Sequence, residues 1–308
     1  MPYFKAAFPL HYKDIKVRDI FEMAYKRIKY KFENSNEFEY RFKGECGAKG
    51  EKRAPRKKKT KEQIKRINQI NREIRMRRKL KLNFSSNDYW CCFKYPAGTK
   101  LTIEEMNNNR KSLIKALQRI FKKHGVELKY IYRMEIGERG GLHFHMVINR
   151  IWGQQTDVII NKCWSTVIKN SFKRRGIVIK SADGLCDFKC MYDAGGFENL
   201  AKYICKQPKE ESETYKQLSL FPESERKKLI KANPSRNLIN PEPEEKEFSH
   251  LTVRKMITEG PTPTEGYYID QDSIISGINP FTGLSYLKYT EHKLDQTEDG
   301  PPERRGIP

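Results

Sequence analysis

The sequence predicts an α+β fold in which helices pack on a central antiparallel sheet. Segments with strand-like alternation or short apolar runs are separated by segments with helical periodicity. Two of the strand segments are joined by a short glycine-rich turn, which is the pattern of a β-hairpin. Of the 308 residues, 37% are hydrophobic and 11% are aromatic. The chain can therefore bury a core and is not disordered throughout.

Composition divides the chain into three predicted regions. An N-terminal region, residues 1–82, contains short strands around Phe38–Phe42 and ends in a basic helix. A central domain spans residues 83–208. An accessory C-terminal region, residues 209–308, alternates charged and proline-containing stretches with modest apolar runs. Its tail from Thr290 to Pro308 is rich in glycine, proline and charge, and it is predicted to be disordered.

The basic helix is predicted to run from Thr60 to about Leu80. Thr60 is a favourable N-cap, and Glu62 in the first turn suits the positive end of the helix dipole. The segment Glu51–Leu82 contains 15 Lys and Arg residues against 3 Asp and Glu, within a chain of formal net charge +22. An excess of this size predicts a polyanionic partner, and nucleic acid is the default.

This basic segment offers candidate contacts to the phosphates of DNA. Each contacted phosphate releases counterions and makes binding dependent on salt. A solvated basic helix face explains the same residues equally well, and nothing in the segment reads bases. The candidate phosphate-binding residues are Lys57, Lys58, Lys59, Arg75, Arg77 and Arg78.

Local signals set the order of elements in the central domain. Pro96 ends its first strand, and Thr102 forms a capping box with Glu105 that begins a helix ended by Gly125. The dipeptide Asp183-Gly184 predicts a turn between two short strands. The predicted strands are Tyr89–Tyr95, Leu128–Ile136, Leu142–Ile148, Ile177–Ile179 and Leu185–Met191, and two further helices are Thr156–Arg174 and Gly196–Gln207.

The cysteines and the apolar runs predict the cellular compartment. Seven cysteines, with no C-x-x-C pair, argue against a zinc knuckle or a disulfide framework and predict reduced, structural thiols. No run approaches the ~18 consecutive apolar residues of a transmembrane helix. The apolar run Ala6–Leu10 is too short for the core of a signal peptide. We therefore expect a cytoplasmic protein with no membrane partner.

A candidate metal site lies on the predicted hairpin. His143 and His145 are two residues apart in a strand, so both imidazoles point to one face. A five-residue turn, Gly137–Gly141, places Glu135 opposite His143 on that face. Two imidazoles and a carboxylate can hold a divalent ion with positions open for substrate oxygens. Glu138 in the turn is a weaker alternative ligand, and a merely hydrogen-bonded histidine pair is the alternative to a metal site.

A metal that polarises a phosphodiester needs a nucleophile, for which water and tyrosine are the candidates. In the last predicted helix, Tyr203 and Lys206 are three residues apart and would share one face. A phenol with an ordinary pKa near ~10 needs a group that stabilises its phenolate. Lys206 or the metal could do so, or Lys206 could hold the scissile phosphate. By itself, Tyr203 could equally be an ordinary core tyrosine.

Together these residues resemble the HUH (His-hydrophobic-His) endonucleases that initiate rolling-circle replication. The resemblance covers about Thr60 to Gln207 and is most specific over the hairpin, residues 128–149. The sequence of residues 128–149 is similar to that of the replication initiators of filamentous phages and related bacterial plasmids. The strand around Cys91-Cys92-Phe93 departs from the family, in which it usually contains threonine before tyrosine.

The resemblance implies an endonuclease domain over residues 83–208, built on an antiparallel sheet of the RRM or ferredoxin-like kind. It implies His143 and His145 on a central strand, a nearby tyrosine helix and a bound Mg²⁺ or Mn²⁺ ion. The implied reaction is attack of Tyr203 on single-stranded origin DNA. This would leave a 5′-phosphotyrosine link and a free 3′-hydroxyl. A host helicase and polymerase would be the expected partners.

Two other functions are compatible with parts of the sequence. A relaxase or transposase-like strand transferase would use the same chemistry in mobilisation. A non-catalytic, basic nucleic-acid-binding protein would use its sheet only for binding. Such a sheet would present aromatic residues for stacking and has no need of paired histidines opposite a carboxylate. The sequence therefore favours catalysis.

Overall fold

The structure, a computed structural model, describes residues 24–43, 59–179, 181–182, 184–191, 196–278 and 285–294. Ten strands and seven helices lie within these ranges. The strands are β1 (Ala24–Lys31), β2 (Ser35–Phe42), β3 (Tyr89–Phe93), β4 (Tyr130–Ile136), β5 (Leu142–Ile148), β6 (Cys186–Cys190), β7 (Asn233–Pro234), β8 (Glu244–Ser249), β9 (Tyr267–Ile278) and β10 (Ser285–Lys293). The helices are α1 (Lys61–Asn83), α2 (Ile103–Lys123), α3 (Thr156–Arg174), α4 (Glu198–Cys205), α5 (Glu213–Ser219), α6 (Glu223–Ile230) and α7 (His250–Glu259). The predicted α+β class is confirmed.

The chain divides into two compact units. One lies within residues 59–241, and the described residues of the other are 24–43, 242–278 and 285–294. The boundaries drawn from composition, near residues 82 and 208, differ from these. Helix α1 packs against α4, and strand β7 pairs with β4. Both elements therefore belong with the central sheet. Composition could not indicate this, because pairing between distant segments leaves no trace in local composition.

The unit Lys59–Pro241 is built on an antiparallel sheet of order β6-β3-β5-β4-β7. Helices α2 and α3 pack on one face, where Phe93, Phe144 and Met146 meet Leu117 and Trp164. All five side chains are essentially inaccessible to solvent. Full burial of each apolar side chain of this kind contributes about 1.5–3 kcal/mol. This face of the sheet is the main core of the unit.

Helices α1 and α4 cover part of the opposite face of this sheet. Leu80 from α1 and Ile204 from α4 pack with Ile131 and Val147 of the sheet. Strand residues alternate between faces, so the face that carries Ile131 and Val147 also carries the residues two positions along each strand. The site residues are therefore on the face that α1 and α4 share.

The hairpin of β4 and β5 has the predicted register. Glu135 is directly opposite His143, and Arg133 is opposite His145. The turn is closed by a hydrogen bond from the Gly137 N–H to the Gly141 carbonyl at 2.9 Å. Gly140 has a φ of +76°, a conformation that residues with a Cβ rarely adopt. The glycines of the turn thus help to set the pairing that brings the site together.

Several predicted boundaries need correction. Ile177–Ile179 is not a strand, because the chain leaves α3 through Gly176 with Ile177 and Val178 exposed to solvent. Helix α4 begins at Glu198 and ends at Cys205, two residues before the predicted end at Gln207. By contrast, both threonine caps are present, with Thr60 and Thr102 accepting hydrogen bonds from the backbone N–H three residues ahead.

The other unit contains a second antiparallel sheet, of order β8-β1-β2-β10-β9. Its core includes Tyr25, Phe38 and Tyr289 from the sheet and Val253 from α7. The prediction of disorder from Thr290 onward is wrong for residues 290–293, which form the end of β10. Glu291 is buried there and accepts a hydrogen bond from the Thr264 N–H, so polar residues fill an interior position. Residues 295–308 lie outside the described ranges.

Two further expectations concern membranes and thiols. In the described ranges, no helix is both long and apolar enough to cross a membrane. Six of the seven cysteines lie in those ranges, and Cys46 lies outside them. The six free thiols are Cys91, Cys92, Cys163, Cys186, Cys190 and Cys205.

Candidate metal and nucleophile site

Three potential metal ligands meet on the hairpin. The Glu135 Oε2 atom lies 3.6 Å from the Nε2 atom of His143 and 3.6 Å from that of His145. Each of the three residues offers a ligand atom within 4.8 Å of the other two. The side chain of Glu135 is 17% exposed, that of His143 is 24% exposed and that of His145 is 11% exposed. Glu138 is exposed in the turn and does not join this group.

The protonation states of His145 and Glu135 suit a cation. Burial lowers the pKa of His145 to about 4, so its imidazole is neutral near neutral pH. Burial acts to raise the pKa of Glu135, but the interaction with His143 and the charge of Arg133 outweigh it. The pKa of this carboxyl is therefore lowered, and the group is ionised. A carboxylate beside unprotonated imidazole is the donor chemistry of a divalent metal site.

Trp90 and Cys92 of β3 surround His145. The indole of Trp90 stacks on the imidazole with ring centroids 5.0 Å apart and planes 5° apart. The Cys92 Sγ atom lies 4.0 Å from the His145 Nε2 atom. Burial raises the pKa of the Cys92 thiol to about 11, so it is protonated near neutral pH. Trp90 restricts the orientation of the imidazole plane, and neither residue was identified from the sequence as part of the site.

The Tyr203 hydroxyl extends from α4 to the group formed by Glu135, His143 and His145, the Glu-His-His group. It donates a hydrogen bond to Glu135 Oε2 at 3.2 Å and lies 3.2 Å from His145 Nε2. Its ring meets that of Trp90 edge-on at 5.6 Å. Burial, and then the charge of Glu135, raise the pKa of this phenol above its ordinary value. The residue is nevertheless 40% exposed, so its hydroxyl contacts Glu135 and His145 while the side chain remains accessible to solvent.

Lys206 directly follows the last residue of the tyrosine helix. Helix α4 ends at Cys205, and Lys206 is its C-cap, with φ −53° and ψ 131°. Its backbone N–H donates to the Tyr203 carbonyl at 3.1 Å, and its side chain is exposed. Lys206 therefore caps the helix instead of lying within it, and its role beside Tyr203 stays a prediction.

Arg133 is part of the site and was missed by the sequence reasoning. Its Nε atom is 2.7 Å from Glu135 Oε1, and its Nη1 atom donates to the Tyr203 and Ile204 carbonyls at 3.3 and 2.9 Å. A signal was available, since Arg133 is two residues before Glu135 and so must lie on the same face of β4.

The predicted phosphate-binding residues have different surroundings. Lys57 and Lys58 lie outside the described ranges, whereas Lys59 and Arg75 are exposed. Arg77 is half-buried. Arg78 is only 9% exposed, so its guanidinium is not a surface cation. The exposed basic residues of α1 are Lys61, Lys65, Arg66, Arg72 and Arg75.

Comparison with known proteins points to DNA replication. Residues 88–208 match the family model for replication-associated protein ORF2/G2P. No curated protein matches the chain. The matched segment contains Glu135, His143, His145 and Tyr203, but it omits α1 and the elements of the unit that follow residue 208. Over this segment the chain is similar to replication-associated proteins, which is consistent with a rolling-circle replication initiator that binds DNA.

Proposed function

We propose that this protein initiates rolling-circle replication by nicking single-stranded origin DNA, with Tyr203 as the nucleophile, as an HUH endonuclease of the filamentous-phage and plasmid type. One observation carries the proposal. A tyrosine hydroxyl lies within 3.2 Å of two atoms of a Glu-His-His group in a strongly basic protein. The match of the same segment to a replication-associated family supports it.

Glu135, His143 and His145 would hold the Mg²⁺ or Mn²⁺ ion. Their donor atoms fit such an ion, and the two imidazoles favour Mn²⁺ over the harder Mg²⁺. When bound, a divalent cation would polarise the scissile phosphate and lower the pKa of a nearby phenol. That contribution matters because the protein alone raises the pKa of Tyr203.

The residues of the site have distinct tasks in this reaction. The Tyr203 oxygen attacks phosphorus, so a bond from this oxygen to phosphorus forms and the bond from phosphorus to the 3′ oxygen breaks. The downstream DNA remains attached through its 5′ phosphate, and the upstream strand leaves with a 3′-hydroxyl. The phenol, which is partly exposed, releases its proton to solvent as the new bond forms, and the departing 3′ oxygen takes up one proton from solvent. Protons and bonds therefore balance.

Lys206 remains a candidate for holding the scissile phosphate or for stabilising the Tyr203 phenolate. It follows α4 directly and its ammonium is exposed. A lysine at this position can meet a phosphate as a point charge without a partner on the same helix.

The function is tested with a pool of single-stranded oligonucleotides labelled at the 3′ end. Incubation with Mn²⁺ should yield a covalent protein–DNA adduct that carries the 3′ label and survives denaturing electrophoresis. The released upstream strand should be extended by a DNA polymerase. Cleavage without an adduct would make water the nucleophile, and binding without cleavage would leave a non-catalytic nucleic-acid-binding protein.

The exposed face of α1 should hold the DNA backbone. Replacing four basic residues of this face with glutamine should weaken single-strand binding and flatten its salt dependence. The slope of log K against log salt should fall by up to about 3, at about 0.7 per phosphate contact. The four residues are Lys65, Arg66, Arg72 and Arg75.

A matched control neutralises four exposed lysines of α2, which packs on the other face of the sheet. Fluorescence anisotropy of a labelled oligonucleotide at several salt concentrations measures both slopes. Equal slopes for the two variants would show that the basic face of α1 makes no specific contribution to DNA binding and is only solvated. The control residues are Lys111, Lys115, Lys122 and Lys123.

A further inference from the structure

We infer that Arg133 is a positioning residue that links the Glu135 carboxylate to the end of the tyrosine helix. The inference rests on the proposed function, because it assigns a task within the same site. Arg133 contacts two elements that are about 70 residues apart in the chain. Both contacts involve groups whose placement decides where the Tyr203 hydroxyl lies.

The first contact orients the carboxylate. Arg133 Nε lies 2.7 Å from Glu135 Oε1, in an ion pair rather than a directional hydrogen bond. Because Oε1 is engaged by this charge, Oε2 is the oxygen that faces the two imidazoles and the phenol. The two oxygens of one carboxylate thus have separate partners.

The second contact holds the backbone of the nucleophile. The last carbonyls of a helix have no partner within the helix and carry partial negative charge. Arg133 Nη1 donates to two carbonyls at the end of α4, that of Ile204 at 2.9 Å and that of Tyr203 at 3.3 Å, which also accepts from the Lys206 N–H. Since α4 has only eight residues, it is too short to be stable by itself. An anchor at its last turn therefore affects the position of the whole tyrosine.

The burial of Arg133 separates it from a direct role in DNA binding. The residue is 6% exposed, so its guanidinium acts on DNA only through the groups that it positions. The planar guanidinium has several N–H groups at fixed angles and can meet both partners together, whereas a lysine ammonium is a single point of charge. The geometry therefore requires arginine in particular.

Loss of this link should slow the chemical step and spare substrate binding. In Arg133→Gln the carboxylate can rotate and the end of α4 loses two hydrogen bonds. A displacement of about 1 Å at the reacting atoms costs on the order of 100-fold in rate. We expect the kcat of adduct formation to fall by about that factor while the KM for single-stranded DNA stays within about threefold of wild type.

The test compares Arg133→Gln and Arg133→Lys with Arg110→Gln. Arg110 is a matched control, since it is also buried but packs over the Tyr132 ring at 4.0 Å, away from the site residues. Arg133→Lys should keep one partner only and lose about tenfold in kcat. Arg110→Gln should keep the kcat of wild type. An unchanged kcat in both Arg133 variants, or an equal kcat loss in Arg110→Gln, would overturn the inference.

Hydrogen exchange of the peptide 198–205 gives a second measurement that needs neither metal nor DNA. Exchange should be faster in Arg133→Gln than in wild type and in Arg110→Gln, because the end of α4 is no longer anchored. Equal exchange would refute the link itself. A wild-type protein that forms no adduct but shows this exchange difference would refute the proposed function and retain the link. The two failures are therefore distinguishable.

Discussion

Replacing Tyr203 with phenylalanine should abolish the covalent protein–DNA adduct, with a loss on the order of 10⁴-fold or more. The substitution removes one oxygen, which is the atom that lies 3.2 Å from both Glu135 and His145. The phenylalanine ring retains the edge-on contact with Trp90, so the helix should remain in place. Denaturing electrophoresis of labelled DNA with Mn²⁺ measures the adduct directly.

The control for this prediction is Tyr215→Phe. Tyr215 is a partly exposed tyrosine on α5, in the same unit, and its described contacts do not involve the Glu-His-His group. This variant should form the adduct at the wild-type rate. If Tyr203→Phe still forms the adduct, another residue is the nucleophile. If only Tyr215→Phe loses it, the assignment of the two tyrosines is reversed.

Replacing both His143 and His145 with alanine should remove metal-stimulated cleavage, with a loss on the order of 10³-fold. A metal that stabilises the transition state by several kcal/mol accounts for a loss of this size, at about 1.4 kcal/mol per factor of ten. Only Glu135 would remain of the three ligands. Saturable Mn²⁺ binding, measured by electron paramagnetic resonance, should disappear together with cleavage.

Binding of single-stranded DNA should survive in the double histidine variant, since the exposed basic residues of α1 are untouched. His124→Ala is the matched control, because His124 is an exposed histidine at the end of α2. It should leave Mn²⁺ binding and cleavage unchanged. Since His145 also stacks on Trp90, thermal melting shows whether the double variant remains folded. Unchanged metal dependence in a folded double variant would show that the metal binds elsewhere.

Local patterns were reliable wherever a short-range rule applies. Strand alternation predicted that His143 and His145 share a face, and the five-residue turn predicted the pairing of Glu135 with His143. The threonine caps at Thr60 and Thr102 likewise depend only on backbone groups three residues away. Such rules need no knowledge of the rest of the chain.

The same rules failed where a contact between distant segments decides the outcome. The end of β10 was predicted as disordered because its residues are polar, yet Glu291 is buried there with its own donors. The helix that was predicted to reach Gln207 ends at Cys205, and Arg133 donates hydrogen bonds to the Tyr203 and Ile204 carbonyls in its last turn. The burial of Glu291 has no signature in its neighbouring residues. For Arg133, strand alternation indicates the face shared with Glu135, but nothing local indicates the contact with α4.

By itself the sequence determined the fold class, the hairpin and the composition of the ligand group, because each follows from spacing along one or two adjacent strands. Only the tertiary structure decided that the Tyr203 oxygen meets this group and that Lys206 lies past the end of the helix. It also decided that Arg133 contacts both Glu135 and the end of α4. The physical reason is that β4 and α4 are brought together by packing on the sheet face, and the free energy of packing depends on all contributing elements together. The net charge of +22 follows from composition alone, but which arginines of α1 are exposed and which are buried depends on how the helix packs.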